Sequence, residues 1–311
     1  MSDEPIFQRV VIVGLGLIGS SLARAIRRRW EETRIIGYDI SYEVMNRARE
    51  LGFCDVIIEN SFTEVEKADL VLLCVPVGAM EEAGKIFGKH LKRGCIVSDT
   101  GSVKSSVVRA LKRRIPEGVT FIPAHPVAGT EESGPDAGFA DLFEGRWCIF
   151  TPLVKTDESA VKKLQEFWTG CGAKVVSMDA EHHDLVLAVT SHVPHLIAFG
   201  IVDTAIKLEE VEKSEVKRSE VIKFSAGGFR DFTRIAASDA VMWRDIFLHN
   251  REAVLEMLNR FSEDLDGLRN AIEGRDADRI EKAILRAQNI RSKILEAGED
   301  TKEADFGRRK Q

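Results

Sequence analysis

The residues of this chain best suited to chemistry sit in a few short motifs. His125 stands in "AHPVAGTEESG", just past the apolar run "GVTFIPA" and ahead of Glu131 and Glu132. An imidazole changes charge near neutral pH, so a histidine at the carboxyl end of a strand can act as a general base. The same position also admits a satisfied structural histidine. Ser102, in "SDTGSVK", can hydrogen-bond such a base or cap the helix "VKSSVVRAL" that follows. Arg230 and Arg234, in "GGFRDFTRIAASD", are four apart and share one face if the segment is helical, and a guanidinium suits two-pronged recognition of a carboxylate. "SHVPHLIAF" adds His192 and His195. No carboxylate or cysteine constellation completes a metal site around them, so no metal is expected.

A second cluster points to a dinucleotide. In "VVIVGLGLIGSSLARAI", Gly14, Gly16 and Gly19 have the GxGxxG spacing directly after a strand and at the start of a helix. The first glycine permits a tight turn, the second a close approach of backbone to a pyrophosphate, and the third close packing of helix on strand. The whole turn, Gly14, Leu15, Gly16, Leu17, Ile18 and Gly19, is expected to hold the cofactor. Asp39 ends the next strand, "RIIGYDI", twenty residues after Gly19, where a carboxylate can bond the ribose hydroxyls. That acid repels the extra phosphate of NADP and no arginine follows closely in "DISYEVM", so NAD is favoured over NADP. Val75 and Pro76 of "CVPVGAM" are expected to line the crevice beside it. The alternative is a tight glycine turn followed by a solvated strand-end aspartate.

The elements that must position these residues follow from periodicity. Up to about Asp179, near-continuous runs of Val, Ile and Leu alternate with helical patterns, as strands buried on both faces require. This predicts an α/β, Rossmann-type, doubly wound and mostly parallel sheet over 1–179. Beyond it only helical patterns remain, the clearest being Val254, Leu258, Phe261, Leu265, Leu268 and Ile272. An all-α domain over 180–311 is expected, its apolar stripes suited to self-packing or to a dimer interface. The end, "EAGEDTKEADFGRRKQ", reads as a frayed or docked tail.

Composition excludes several classes. With 44% hydrophobic and 30% charged residues in 311, and a net charge of -6, the chain is an ordinary globular protein with no electrostatic footprint for nucleic acid. Cys54, Cys74, Cys95, Cys148 and Cys171 are scattered without a CxxC pair, which reads as reduced core thiols in a cytoplasmic protein. The most apolar window, "DLVLAVTSHVPHLIAFGIV", is broken by two histidines and a proline, so no membrane insertion is expected.

Taken together, "VGLGLIGSSLARAI", "SDTGSVK", "HPVAGTEESG", "SHVPHLIAF", "GGFRDFTRIAASD" and "MWRDIF" resemble the prephenate and arogenate dehydrogenases, the cyclohexadienyl dehydrogenases of tyrosine biosynthesis. The resemblance runs in order from about Val10 to Leu248. It implies oxidative decarboxylation of prephenate, arogenate or both. Hydride passes to the nicotinamide while the ring carboxylate leaves as carbon dioxide. By resemblance His125 accepts the hydroxyl proton, Ser102 bonds that histidine and the substrate hydroxyl, Arg234 grips a substrate carboxylate and His195 faces the substrate side chain. Arg230 stands where relatives often carry lysine. Glu131 matches an acid near the pocket mouth and Trp243 a pocket wall, although a solvated carboxylate and a core tryptophan fit these two positions as well. His182, His183 and Asp184 receive no chemical role.

The resemblance further implies an active site shared between the two domains and a homodimer formed through the helical one. No regulatory module is recognised, so any feedback by tyrosine would act at the active site itself. Two rival readings stand beside this one. A beta-hydroxyacid dehydrogenase would carry a lysine, and an asparagine four residues on, in the first helix after the sheet, and "EHHDLVLAVTSHVPHL" has neither. A dinucleotide-sensing dimer would need only the glycines and Asp39.

Overall fold

In a computed structural model of the chain, residues 4–207 and 223–298 are described. Of the expected tail, 296–311, only Glu296, Ala297 and Gly298 are among them, Glu296 as the last residue of a helix; the rest lies outside. The first six strands form one parallel sheet: β1 (Arg9–Val13), β2 (Arg34–Tyr38), β3 (Val56–Ile57), β4 (Leu70–Leu73), β5 (Ile96–Asp99) and β6 (Thr120–Ile122). Their order is β3-β2-β1-β4-β5-β6. Val10, Val11 and Ile12 of β1 and Leu70, Val71 and Leu72 of β4 are fully buried, which is why these strands read as unbroken apolar runs rather than alternating ones. The order reverses between β1 and β4. At their carboxyl ends the sheet therefore opens a crevice of the kind that binds ligands in doubly wound folds.

Helices α1 (Leu17–Arg29), α2 (Tyr42–Leu51), α3 (Met80–Phe87) and α4 (Lys104–Leu111) make the crossovers. Their limits are local: Ser41 accepts a hydrogen bond from the amide of Val44 at 3.3 Å, and Gly52 ends α2 in the left-handed region at φ 65°.

After β6 the chain leaves this sheet. Pro123 has no amide to continue the ladder, and its carbonyl accepts a bond from Thr151 N at 2.9 Å. A second sheet follows, with β7 (Ala124–Pro126) antiparallel to β8 (Trp147–Phe150) and β8 parallel to β9 (Lys174–Ser177). His125 thus lies on a separate edge strand, paired with Ile149, rather than at the end of the strand "VTFIPA". Helix α5 (Glu158–Gly170) packs behind β9, and its Phe167 and Trp168 join Phe7, Trp30 and Phe143 in one buried apolar cluster.

The rest is helical among the described residues: α6 (Ala180–Leu187), a π turn at Ala188–His192, α7 (Val193–Lys207), α8 (Gly227–Thr233) continued as a 3-10 turn, α9 (Ala240–His249), α10 (Arg251–Glu273) and α11 (Ala277–Glu296). The chain folds into two compact units, the first running to Pro194 and including Ala237–Val254, the second holding His195–Ala236 and everything from Leu255 on. Packing therefore divides the chain differently from the 1–179 and 180–311 reading. Residues 180–194 and 237–254 join the sheet unit because His183, Asp184, His192 and Asn250 are buried in it. The run Ala180–Lys207 is long and apolar enough to cross a membrane by length and composition. Its first half is instead committed to this polar packing.

Candidate active site

The glycine turn is built as its spacing requires. Gly14 has φ +95°, and a Cβ there would lie 2.5 Å from the Cys74 carbonyl oxygen, with Val75 beside it. Only glycine meets both conditions. A side chain at Gly19 would collide with the Gly14 carbonyl, whereas Gly16 faces open space. Gly16 is the N-cap of α1, which has no side-chain cap and no acid in its first turn. The positive end of that helix is thus bare beside an open backbone, a cradle that fits a diphosphate.

Asp39 is fixed by two amides, Leu15 N to Oδ2 at 2.8 Å and Ser41 N to Oδ1 at 2.9 Å. These bonds hold the carboxylate against the glycine turn. The first arginine after it, Arg47, is engaged elsewhere. Its guanidinium grips Asp136 at 2.9 and 2.6 Å and Glu50 at 2.7 Å.

His125 is the centre of a buried polar chain. Its Nδ1 lies 2.8 Å from Nε2 of His183, whose Nδ1 lies 2.9 Å from Oδ1 of Asp184. His183 is completely buried, His125 and Asp184 nearly so. Burial holds the His125 imidazolium pKa well below the usual histidine value, reinforced by His183, Lys104 and His192. Burial likewise lowers His183, against the pull of Asp184. For Asp184 burial acts to raise the carboxyl, but hydrogen bonds from His183, Lys104 and Ser105 outweigh it and keep it below the usual range. The result is a carboxylate backing two neutral imidazoles.

A second buried pair supports the strand that carries His125. Asp99, the last residue of β5, and Lys104, the first of α4, are both inaccessible and form an ion pair. The Lys104 ammonium also donates to the Ala124 carbonyl at 2.6 Å, and Asp99 accepts from Gly101 N at 2.8 Å and Ala124 N at 3.3 Å. Both ends of the motif "SDTGSVK" therefore clamp the residue before His125. Removing one partner of such a pair costs about 3–5 kcal/mol, because the other is left buried and charged. The sequence reading chose only Ser102 from this motif.

The capping alternative for Ser102 is overturned. The N-cap of α4 is Val103, which has no cap bond of its own, and the freed amides of Lys104 and Ser105 donate instead to Asp184 at 2.6 and 2.8 Å. Ser102 is half-buried, and among the described residues no hydrogen bond joins it to His125.

The remaining expected residues fall in different places. Pro76 is exposed at the 3-10 turn that follows β4, and Glu131 is exposed on the loop after β7. Trp243 of α9 is buried, its ring edge-on to His192 with centroids 6.1 Å apart. Nδ2 of Asn250 ties this corner to the chain, donating to the Asp184 carbonyl at 2.8 Å and lying 3.0 Å from His192 Nδ1. His195 and Arg234 are half-buried and Arg230 exposed, all three in the second unit. Arg230 lies in α8 and Arg234 at the start of the 3-10 turn.

Of the residues the sequence reading missed, His183 and Asp184 matter most. Their signal was a carboxylate near the start of an otherwise apolar helical run, where an unpaired charge is costly. No group of three or more potential metal ligands occurs among the described residues, and all five cysteines are free thiols.

Two family models match the chain, the prephenate dehydrogenase nucleotide-binding domain over 22–177 and the prephenate dehydrogenase dimerization domain over 179–286. The cyclohexadienyl dehydrogenase of Zymomonas mobilis is 42% identical over 92% of this chain and 96% of its own length. The prephenate dehydrogenase of Bacillus subtilis is 35% identical over 91% of this chain and 75% of its own. Among solved structures, prephenate dehydrogenase from Aquifex aeolicus in complex with hydroxyphenyl propionate and NAD+ superposes with a TM-score of 0.84 at 37% identity, covering 92% of this chain and 98% of that one.

Proposed function

The chain belongs to the prephenate dehydrogenase family, and from that premise we propose how its own residues divide the work. It is an oxidoreductase that carries out the NAD-dependent oxidative decarboxylation of prephenate, arogenate or both in tyrosine biosynthesis. Bound NAD supplies the hydride acceptor. Gly14, Leu15, Gly16, Leu17, Ile18 and Gly19 hold its diphosphate at the start of α1, Asp39 takes the ribose, and Val75 and Pro76 border the crevice. NAD is the preferred form. Asp39 would repel a 2′-phosphate, and Arg47, which could neutralise one, is occupied by Asp136 and Glu50.

His125 is the base. It removes the proton of the ring hydroxyl as hydride leaves the same carbon and the ring carboxylate departs as carbon dioxide. One observation carries this reading: the histidine is held neutral by burial and backed by a buried hydrogen-bonded chain. Ser102 orients the substrate hydroxyl. Arg234, with Arg230 and His195, receives the substrate's side-chain end, and Glu131 and Trp243 border the pocket. A guanidinium that reads the substrate carboxylate would also read that of tyrosine, so inhibition by tyrosine is placed at this same site. The helical domain pairs two copies of the chain into a homodimer.

The test is NADH formation by purified protein with prephenate and arogenate in parallel, using NAD or NADP, with His125→Asn as the control. Turnover with NAD that falls about 10²–10⁴-fold in the variant, while NADH binding survives, is the expected result. Absence of turnover with either substrate, in folded protein that binds NADH, would overturn the assignment.

A further inference from the structure

The geometry points to His183 and Asp184 as positioning residues that fix which nitrogen of His125 is bare. The inference rests on the reading of His125 as the base and follows from counting protons along the buried chain. An ionised carboxylate only accepts, so Nδ1 of His183, 2.9 Å from Asp184 Oδ1, must carry the hydrogen between them. A neutral imidazole holds one N–H, so His183 Nε2 is then a bare acceptor. It lies 2.8 Å from Nδ1 of His125, which must therefore be the donor. The remaining nitrogen of His125, Nε2, is left with a free lone pair. One carboxylate, acting through one intervening ring, selects the tautomer in which the base can take a proton.

The same chain accommodates the charge that follows. When Nε2 takes the hydroxyl proton, the imidazolium formed on His125 donates from Nδ1 to His183, and Asp184 stabilises it through that ring. This is the logic of the serine hydrolase triad, in which an aspartate orients a histidine and stabilises its cation, lengthened here by one imidazole. Other charged or titratable groups also face the pair: Lys104 from α4 with its partner Asp99 from β5, and His192 from the π turn. Lys104 and Asp99 are paired with each other. Asp184 is the anion hydrogen-bonded to the chain itself.

Asp184 has a second duty, since its oxygens also accept the first amides of α4 at 2.6 and 2.8 Å. Replacing it can therefore disturb the fold, whereas His183 bears no such load. The experiment uses the full-length protein, ¹⁵N-labelled at histidine, with His125→Asn to assign the His125 signals. In the wild type, imidazole ¹⁵N shifts should report Nδ1–H and a bare Nε2 for His125. In Asp184→Asn the amide can donate to His183 Nδ1. Both rings then reverse, and Nε2 of His125 carries the hydrogen. kcat should fall by up to about 10⁴-fold, the effect of the corresponding amide in the serine triad, with KM changed only a few-fold. Residual activity should show an acid limb of kcat/KM moved to lower pH, because the imidazoles have lost their anion.

His183→Phe should lower kcat by about 10–100-fold with NADH binding intact, below the full general-base contribution because the base itself remains. His183→Gln, which returns an acceptor near the position of Nε2, should recover most of that loss. A wild-type His125 with its hydrogen on Nε2, or undiminished kcat in His183→Phe, would overturn the proposal. If Asp184→Asn does not fold, the two His183 variants decide. A wild type that turns over neither prephenate nor arogenate would sink the proposed function instead, and the tautomer measurement would still decide the wiring.

Discussion

The two units treat burial in opposite ways. In the sheet unit charged and polar groups lie deep inside: Lys104, Asp99 and His183 are inaccessible to solvent, and hydrogen bonds tie each to its neighbours. In the helical unit apolar groups lie outside, with Ile272 66% exposed, Leu265 47% and Ile290 58%. Polar groups inside are tolerated only when their bonds are satisfied, and they then specify one geometry. The helical unit matches a domain described as a dimerization domain, and under the proposed homodimer this exposed apolar surface is where a second copy would pack. The sheet unit thus holds its buried polar chain in one geometry, and the helical unit leaves apolar surface to solvent.

The contrast can be broken where it is strongest. Lys104→Met leaves Asp99 buried and unpaired, and urea unfolding should show a loss of about 3–5 kcal/mol. The exposed pair Arg260–Glu256 on α10 provides the control, since Arg260→Ala should hardly move the midpoint. If both variants behaved alike, the wiring of the sheet unit would count for little. Arg234→Leu should weaken substrate binding by about 2–5 kcal/mol, a rise in KM of roughly 30-fold or more, with NADH binding unaltered. Unchanged KM would remove the arginine from the site.

Smaller effects sharpen the same comparison. Leu265→Glu combined with Ile272→Glu places charges on the exposed stripe of α10, and sedimentation should show the proposed dimer for the wild type and monomers for the variant. Persisting dimers would put the interface on another face. The pH profile tests the sheet unit. Because burial, then His183, Lys104 and His192, lower the His125 pKa, the base stays unprotonated into more acidic solution. The acid limb of kcat/KM should therefore lie below about 6.5, the ordinary histidine value. A limb at or above that value would show that His125 is solvated or paired with an anion directly.

Much of the fold was legible because its causes are local. The unbroken apolar strands, the glycine turn and Asp39 each follow from short-range sterics or burial on both faces, and the structure sets them side by side through Gly14, Leu15, Cys74 and Val75. The capping alternative for Ser102 fails because the carboxylate that caps α4 comes from Asp184, 80 residues from Lys104. In the sequence Pro123 belongs to one apolar run, although its missing amide breaks the ladder and His125 falls in the second sheet.

The sequence by itself determined the class of fold, the glycine turn at the start of α1 and the family; the roles of the histidine and the arginines rest on the resemblance. Only the tertiary structure decided what stands behind that histidine. His183 lies 58 residues from His125, and "EHHDLV" reads along the chain as the polar start of a helix. Propensity and periodicity act over a few residues. A hydrogen-bonded chain in a buried corner exists only once distant strands and helices have packed and excluded the water that would otherwise satisfy each group separately.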